Sequence, residues 1–349
     1  MREFRPRYQP NDAIDFSSLR TVLIYQGKHF GDVLLSIPVL NTLSRLCPGV
    51  KVDWVVQKAM HALVAGHDAT NTVFDRPRNA LQACWLGQRI GVYDLFIDLH
   101  ASIDAVWFGN FLKSRYSVGV SLSKSRHFRK LTHYPQPNKI LGRHTIDTNL
   151  DCLRRLGADV IPDDRSVLLP EVKLGDRVES FLANCPEYIV IQPGSRWMFK
   201  TPHADFWVKL VNELRDRVDR SIIITGVREG FEGEFSDWLC AKTGCLNLVG
   251  ETSLMDLIQV IRRADGFIGV DSLAGHIAAA TRRKGILLFG PSDERVWGPY
   301  PGSCGLQVMS SDVHRCRPCG LDGCGRGKQS DCLNTLSPTL VADAFCERI

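Results

Sequence analysis

An α/β chain with two doubly wound parallel sheets is the architecture this sequence predicts, on three observations. Its 349 residues are about twice the length of a common domain, so two cores are expected. Buried-strand runs alternate with amphipathic helical runs in both halves, the order of a parallel sheet covered on both faces. Between the halves, residues 158–187 carry Pro162, Pro170 and Pro186 among charges and read as an irregular boundary.

The first strand is Thr21-Val22-Leu23-Ile24-Tyr25, β-branched and aromatic and ended by Gly27. From Asp32, Val33, Leu34, Ile37, Leu40, Leu43 and Leu46 recur at helical spacing up to Gly49. Pro38 within that run predicts a kink, because proline lacks the N–H that bonds one turn back. Strands at 52–56, 72–74 and 93–98 then alternate with helices at 59–64, 80–90 and 103–112. Beyond the boundary, strands at 188–192, 221–225, 266–270 and 286–289 alternate with helices at 206–218, 232–242, 254–263 and 274–282. The expected division is an N-terminal domain over 1–172, a linker over 173–187, a C-terminal domain over 188–335 and a final helix over 336–349. The halves share element order but no repeated sequence.

Composition narrows the function classes. At 44% hydrophobic and 23% charged, the chain has globular rather than disordered character. Its 43 Lys and Arg against 38 Asp and Glu give a net charge of +5, too small for general nucleic-acid binding but favouring anionic ligands or an anionic membrane surface. Apolar runs such as 285–289 fall far short of the ~20 residues that span a bilayer, and the basic N-terminus leads into polar residues and Pro10, so a cytoplasmic chain is expected. Its twelve cysteines are therefore expected to be reduced. Five of them, Cys304, Cys316, Cys319, Cys324 and Cys332, cluster in the segment 304–332; the last four are spaced so that they could hold zinc, although free structural thiols are the preferred expectation.

Four strand-end segments carry candidate chemistry, while neither a GxxxxGK[ST] loop nor a GxGxxG turn follows any expected strand. Nor does any Asp-x-Asp pair occur, so no metal clamp or other cofactor is expected at a diphosphate. In Gly27-Lys28-His29-Phe30-Gly31-Asp32, Asp32 reads either as a helix cap or as a general base at the strand's C-terminal edge. Asp98 and His100, at a neighbouring strand end, are the alternative base candidates. Ser195-Arg196-Trp197-Met198-Phe199-Lys200 reads as a phosphate cradle, or more plainly as a solvated basic loop. In Gly269-Val270-Asp271-Ser272, with His276 following, a strand turns into a helix whose N-terminus suits an anion. Asp271 there would repel a phosphate and suits sugar hydroxyls, and His276 reads equally as a partly buried helix residue. Glu229, after Thr225-Gly226-Val227-Arg228, offers an acceptor for a ribose diol or is a surface loop residue.

Taken together, Gly31-Asp32-Val33-Leu34-Leu35 through Pro38-Val39-Leu40, the 195–200 loop, Gly269-Val270-Asp271-Ser272 with His276, and Phe289-Gly290-Pro291 through Trp297-Gly298-Pro299 resemble the ADP-heptose:lipopolysaccharide heptosyltransferases of glycosyltransferase family 9. The 195–200 string and Cys316-Arg317-Pro318-Cys319 with Gly323-Cys324 look most like the heptosyltransferase III branch. The resemblance implies a GT-B fold, two facing Rossmann-like domains with an interdomain cleft. It also implies inverting, metal-independent transfer of L-glycero-D-manno-heptose from ADP-heptose to a lipid-linked lipopolysaccharide inner-core acceptor, with possible peripheral contact at the inner membrane and no nucleic-acid partner. By the same resemblance Asp32 falls at the catalytic base, Lys200 at the diphosphate lysine, Ser195 and Arg196 beside the phosphates, Glu229 at the ribose acid, Thr252 near the adenine, and Asp271, Ser272 and His276 at the donor-binding helix start. It places the cysteine segment beyond the nucleotide-binding loops. The competing expectations are a GT-B transferase using another nucleotide sugar, and a non-catalytic protein binding nucleotide sugars or lipopolysaccharide precursors.

Overall fold

The computed structural model describes residues 12–27, 29–100, 102–120, 142–300 and 305–349, with the backbone alone for Arg326. Lys28, Cys304 and the start of the N-terminal extension lie outside the described residues. The rest of that extension is packed: Asp15 caps a short turn at Phe16–Ser18, and Phe16 and Leu19 are buried. Two units result, Met1–Pro170 and Glu171–Ile349.

In the first unit, β1 (Thr21–Tyr25), β2 (Lys51–Val56), β3 (Thr70–Asp75), β4 (Val92–Asp98) and β5 (Lys113–Gly119) form a parallel sheet in the order β3-β2-β1-β4-β5. β1 is central, with Val22 paired to Val52 on one side and Leu95 on the other. Its residues Val22 to Tyr25 are fully buried, which is why the run is apolar without alternation. The chain lays β2 and β3 on one side of β1 and β4 and β5 on the other, so the topological switch lies between β1 and β4.

The second unit repeats the logic with β6 (Tyr188–Gln192), β7 (Ser221–Ile224), β8 (Leu246–Asn247), β9 (Gly266–Val270), β10 (Gly285–Phe289) and β11 (Leu306–Ser310). Their order, β11-β10-β9-β6-β7-β8, puts the switch between β6 and β9. Every residue of β6, β9 and β10 is buried. The helix Pro338–Cys346 belongs to this core: Val341, Ala342 and Phe345 pack into it beside Leu333.

The structure departs from the sequence reading at several elements. The expected kinked helix after Asp32 is two helices, Phe30–Leu34 and Pro38–Leu46. A proline ring clashes with the carbonyl four residues back, here Leu34, so the first helix ends there and Pro38 opens the second. Within the stretch read as linker, Asp176–Ala183 is helical and buries Val178 and Leu182. The helix Thr145–Arg155 was not expected, because its buried face includes Asp147 and Asn149. Arg154 and Arg165 reach Asp147 at 2.9 and 3.2 Å, and these ion pairs make that burial tolerable. β5, β8 and β11 also escaped the reading; β5, Lys-Ser-Arg-Tyr-Ser-Val-Gly, buries only its second half.

Candidate active site

In the first unit the chain leaves β1 through Gln26, whose buried amide Nε2 donates to Ser36 Oγ at 3.1 Å and to the Leu99 carbonyl at 3.2 Å. Ser36 Oγ in turn donates to the Asp32 carbonyl at 2.7 Å, and Asn149 Nδ2 donates to the Leu35 carbonyl at 2.9 Å. The turn bearing Asp32 is thus pinned from the strand and from the helix Thr145–Arg155. His29, not Asp32, is the N-cap residue; Asp32 is the third residue of the helix and half-buried, where the helix dipole favours a carboxylate. This corrects the cap reading of its position.

Beside it, at the ends of β1 and β4, lies a polar cluster that sequence reasoning reached only in part. Tyr25 Oη and Arg76 Nε both donate to Asp104 Oδ2, at 2.7 and 2.9 Å. Burial alone would raise the Asp104 carboxyl, but hydrogen bonds from Arg76, Ser102 and Tyr25 outweigh it and hold it at about 2. Arg76 Nη1 also donates to the Gly27 carbonyl at 2.8 Å, and a Cβ at Gly27 would stand 2.5 Å from Arg76 Cδ, so any side chain there would displace the arginine from Asp104. Asp98 Oδ1 accepts from the His100 N–H at 2.9 Å, and the His100 ring stacks on Tyr25 with 5.9 Å between centroids.

In the second unit the residues after β6 and those after β9 meet at the switch point. Lys200 Nζ lies 2.6 Å from Asp271 Oδ2, and both side chains are largely buried, at 21% and 6% exposure. Ser195 Oγ donates to the Trp197 carbonyl at 3.0 Å and accepts from its N–H at 3.2 Å, so this serine shapes the loop. Arg196 is exposed. Ser272 is the N-cap residue of the helix Leu273–Ala280, yet its hydroxyl caps nothing: Oγ is buried without a hydrogen-bond partner. A buried, unsatisfied hydroxyl at a helix N-terminus, beside an ammonium, suits an incoming anion. His276 sits one turn into that helix, half-buried.

Beneath the loop lies a carboxylate the sequence reading did not single out. Glu232 Oε1 accepts from Gln192 Nε2 at 2.7 Å and from the Val227 N–H at 3.3 Å, while Gln192 Oε1 accepts from Thr225 Oγ1 at 2.8 Å. Its Cγ would be 3.0 Å from a Cβ at Gly194. Glu232 thereby joins the loops that follow β6 and β7.

A family model described as glycosyltransferase family 9 (heptosyltransferase) matches residues 85–321, more than half of the chain. The chain belongs to glycosyltransferase family 9. It is 27% identical over 293 residues to lipopolysaccharide heptosyltransferase 3 of Escherichia coli strain K12, a match covering 78% of this chain and 83% of that one. Among solved structures, a family 9 glycosyl transferase from Veillonella parvula DSM 2008 superposes with a TM-score of 0.78 at 17% identity, covering 97% of this chain and 99% of the other. The E. coli heptosyltransferase WaaC with ADP gives 0.68 at 19% identity, covering 94% and 100%. This family 9 protein is therefore a glycosyltransferase, and its two parallel α/β sheets match the GT-B heptosyltransferase fold.

The two remaining candidate residues, Glu229 and Thr252, fall on two adjoining loops. Glu229 is exposed at the N-cap position of the helix Gly230–Thr243. Thr252, half-buried, stands one residue before Ser253, the N-cap of the helix Leu254–Arg263. Arg228 ties these loops together by donating to the Val249 carbonyl at 2.5 Å and to Glu251 Oε1 at 2.8 Å. A Cβ at Gly233 would lie 1.9 Å from the Arg228 carbonyl oxygen, so the helix start packs directly on this loop.

The cysteine segment follows the candidate loops in the chain, as expected, and also contacts one of them in space. Ser330 Oγ donates to the Phe199 carbonyl at 2.6 Å, and Arg317 Nε donates to the Gly290 carbonyl at 2.7 Å. The segment thus braces the loop that carries Lys200. Burial pushes the Cys332 thiol up to about 11; Arg317 opposes the rise and Cys324, Cys319 and Cys316 add to it. Among the described residues, no three His, Cys, Asp or Glu side chains are grouped so that they could hold a metal ion, and the zinc alternative gains no ligand set there.

Proposed function

We propose that this glycosyltransferase transfers L-glycero-D-manno-heptose from ADP-heptose to the inner core of lipopolysaccharide, as a heptosyltransferase III-type enzyme, with inversion and without a metal ion. The observation that carries the reading is the meeting of Lys200 and Asp271 at the second sheet's switch point, beside the unsatisfied Ser272 hydroxyl and a helix N-terminus. As the bond from the anomeric carbon to the phosphate oxygen breaks, the sugar becomes oxocarbenium-like and negative charge gathers on the departing ADP. Lys200, Arg196 and the N–H groups opening the helix Leu273–Ala280 stabilise that charge, and Ser195 holds the loop in shape. Glu229 takes the ribose hydroxyls, Thr252 lies near the adenine, and Asp271 and His276 face the donor sugar. Asp32 accepts the proton of the acceptor hydroxyl as that oxygen attacks the opposite face of the anomeric carbon, which gives inversion.

The acceptor is a lipid-linked core oligosaccharide, and the enzyme works in the cytoplasm with peripheral contact at the inner membrane. No described helix is long and apolar enough to cross a membrane. The test is turnover of a donor panel by the purified chain on heptose-containing core acceptor, followed by mass analysis. Addition of one heptose from ADP-heptose, with no transfer from UDP-sugars and no loss in excess EDTA, is expected. Transfer from a UDP-sugar in place of ADP-heptose would overturn the donor assignment.

A further inference from the structure

In the first unit the helices Ala80–Arg89 and Ile103–Phe111 lie side by side, so close that a Cβ at Gly87 would stand 2.6 Å from the Phe108 carbonyl oxygen. Their inner sides supply Ala83, Ala105 and Phe108 to the core. Their outer sides are apolar as well. Leu81 and Trp85, one turn apart, are 82% and 57% exposed; Ile103 is 68% exposed and Phe111, two turns on, 38%. Positions i, i+4 and i+8 share a helix face, so Leu81 and Trp85 form one exposed apolar patch, and Ile103 and Phe111 mark a second face on which Trp107, between them, packs partly against the core.

The charge along these faces has one sign. Neither helix has an exposed acid, since the one carboxylate in either, Asp104, turns inward to Arg76 and Tyr25. Arg89 lies over the Trp85 ring, 4.9 Å from its centroid, exposed Arg78 precedes the first helix, and exposed Lys113 pairs with exposed Val92 at the start of β5. Exposed leucine, isoleucine and tryptophan flanked by cations is the composition of a surface that lies in the headgroup region of an anionic bilayer. Both helices follow strands of a parallel sheet, so their first turns, bearing Leu81 and Ile103, stand at the same sheet edge as the Asp32 turn and Asp98.

We infer that this two-helix face seats the first unit on an anionic membrane surface, bringing its Asp32 edge to the level of a lipid-anchored acceptor. The inference rests on the proposed lipid-linked acceptor and names the surface that meets the membrane. The test is cosedimentation of the full chain with phosphatidylethanolamine/phosphatidylglycerol vesicles and with phosphatidylcholine vesicles. Wild type should bind the anionic vesicles preferentially, and the Leu81→Ser/Trp85→Ser/Ile103→Ser variant should bind them at least about tenfold more weakly. ADP affinity and transfer to a delipidated core acceptor should be unchanged in that variant. Quenching by brominated lipid should fall in Trp85→Phe, which places the ring in the bilayer. Vesicle binding by the triple variant equal to wild type would sink the inference. So would wild type that ignores anionic vesicles, or a concentration-dependent dimer abolished by the same substitutions. Failure of wild type to transfer heptose to delipidated core counts against the functional reading alone, because the vesicle measurements judge the surface without it.

Discussion

Asp271 holds the Lys200 ammonium at 2.6 Å, so in the proposed function an incoming diphosphate competes with a carboxylate for the same charge. Asp271→Asn removes that competitor, and ADP affinity measured by calorimetry should rise severalfold while heptosyl transfer falls, because the lysine loses its anchor. A fall in ADP affinity would mean that Asp271 supports nucleotide binding itself. Both residues were legible in the sequence as strand-end polar groups, yet their pairing was not. They are 71 positions apart, and only the sheet order, which sets β6 beside β9, brings them together. The Asp32 carboxylate was legible for the same reason, whereas Arg76 and Asp104 were not: Arg76 follows a strand without a motif, and Asp104, in the first turn of an expected helix, reads as a dipole complement.

The loops after β6 and β7 depend on a helix that follows them. Glu232, 8% exposed, accepts from Gln192 and from the Val227 N–H, and burial raises its carboxyl above the ordinary range despite those donors and Arg196. A carboxyl raised in the folded state favours the protonated fold, so its contribution is complete below the unfolded pKa of roughly 4.3 and is lost as pH rises through the folded value. Glu232→Gln keeps an oxygen acceptor without the charge, so stability to urea near pH 7 should equal or exceed wild type and vary less with pH above about 4. Glu232→Ala leaves the Val227 N–H and one Gln192 Nε2 proton unsatisfied, the other still bonded to the Gly194 carbonyl, and should cost about 1–3 kcal/mol. A Glu232→Gln variant as unstable as Glu232→Ala would show that the charge itself is required. The helix was expected from 232 to 242, but its role at the site was hidden, because an acid in a first turn reads as dipole complement or capping.

Across the chain, the strands buried on both faces were legible because such strands are apolar runs bounded by glycine or polar turns, as in β1, β6, β9 and β10. The elements that escaped carry polarity that only tertiary pairing satisfies: β5 with its exposed Lys113 and Arg115, and the helix Thr145–Arg155 with its buried Asp147. Both sheets place their candidate residues at the strand ends flanking the switch point, Asp32 in one unit and Lys200 with Asp271 in the other. In the proposed function the first activates the acceptor and the second binds the nucleotide. ADP titration calorimetry paired with transfer kinetics on wild type, Asp32→Ala and Lys200→Ala tests it most directly. Asp32→Ala should lose about 10²- to 10⁴-fold in turnover with ADP affinity intact, and Lys200→Ala should weaken ADP binding and slow transfer together. Turnover of Asp32→Ala within about tenfold of wild type, or unchanged ADP affinity in Lys200→Ala, would contradict the assignment.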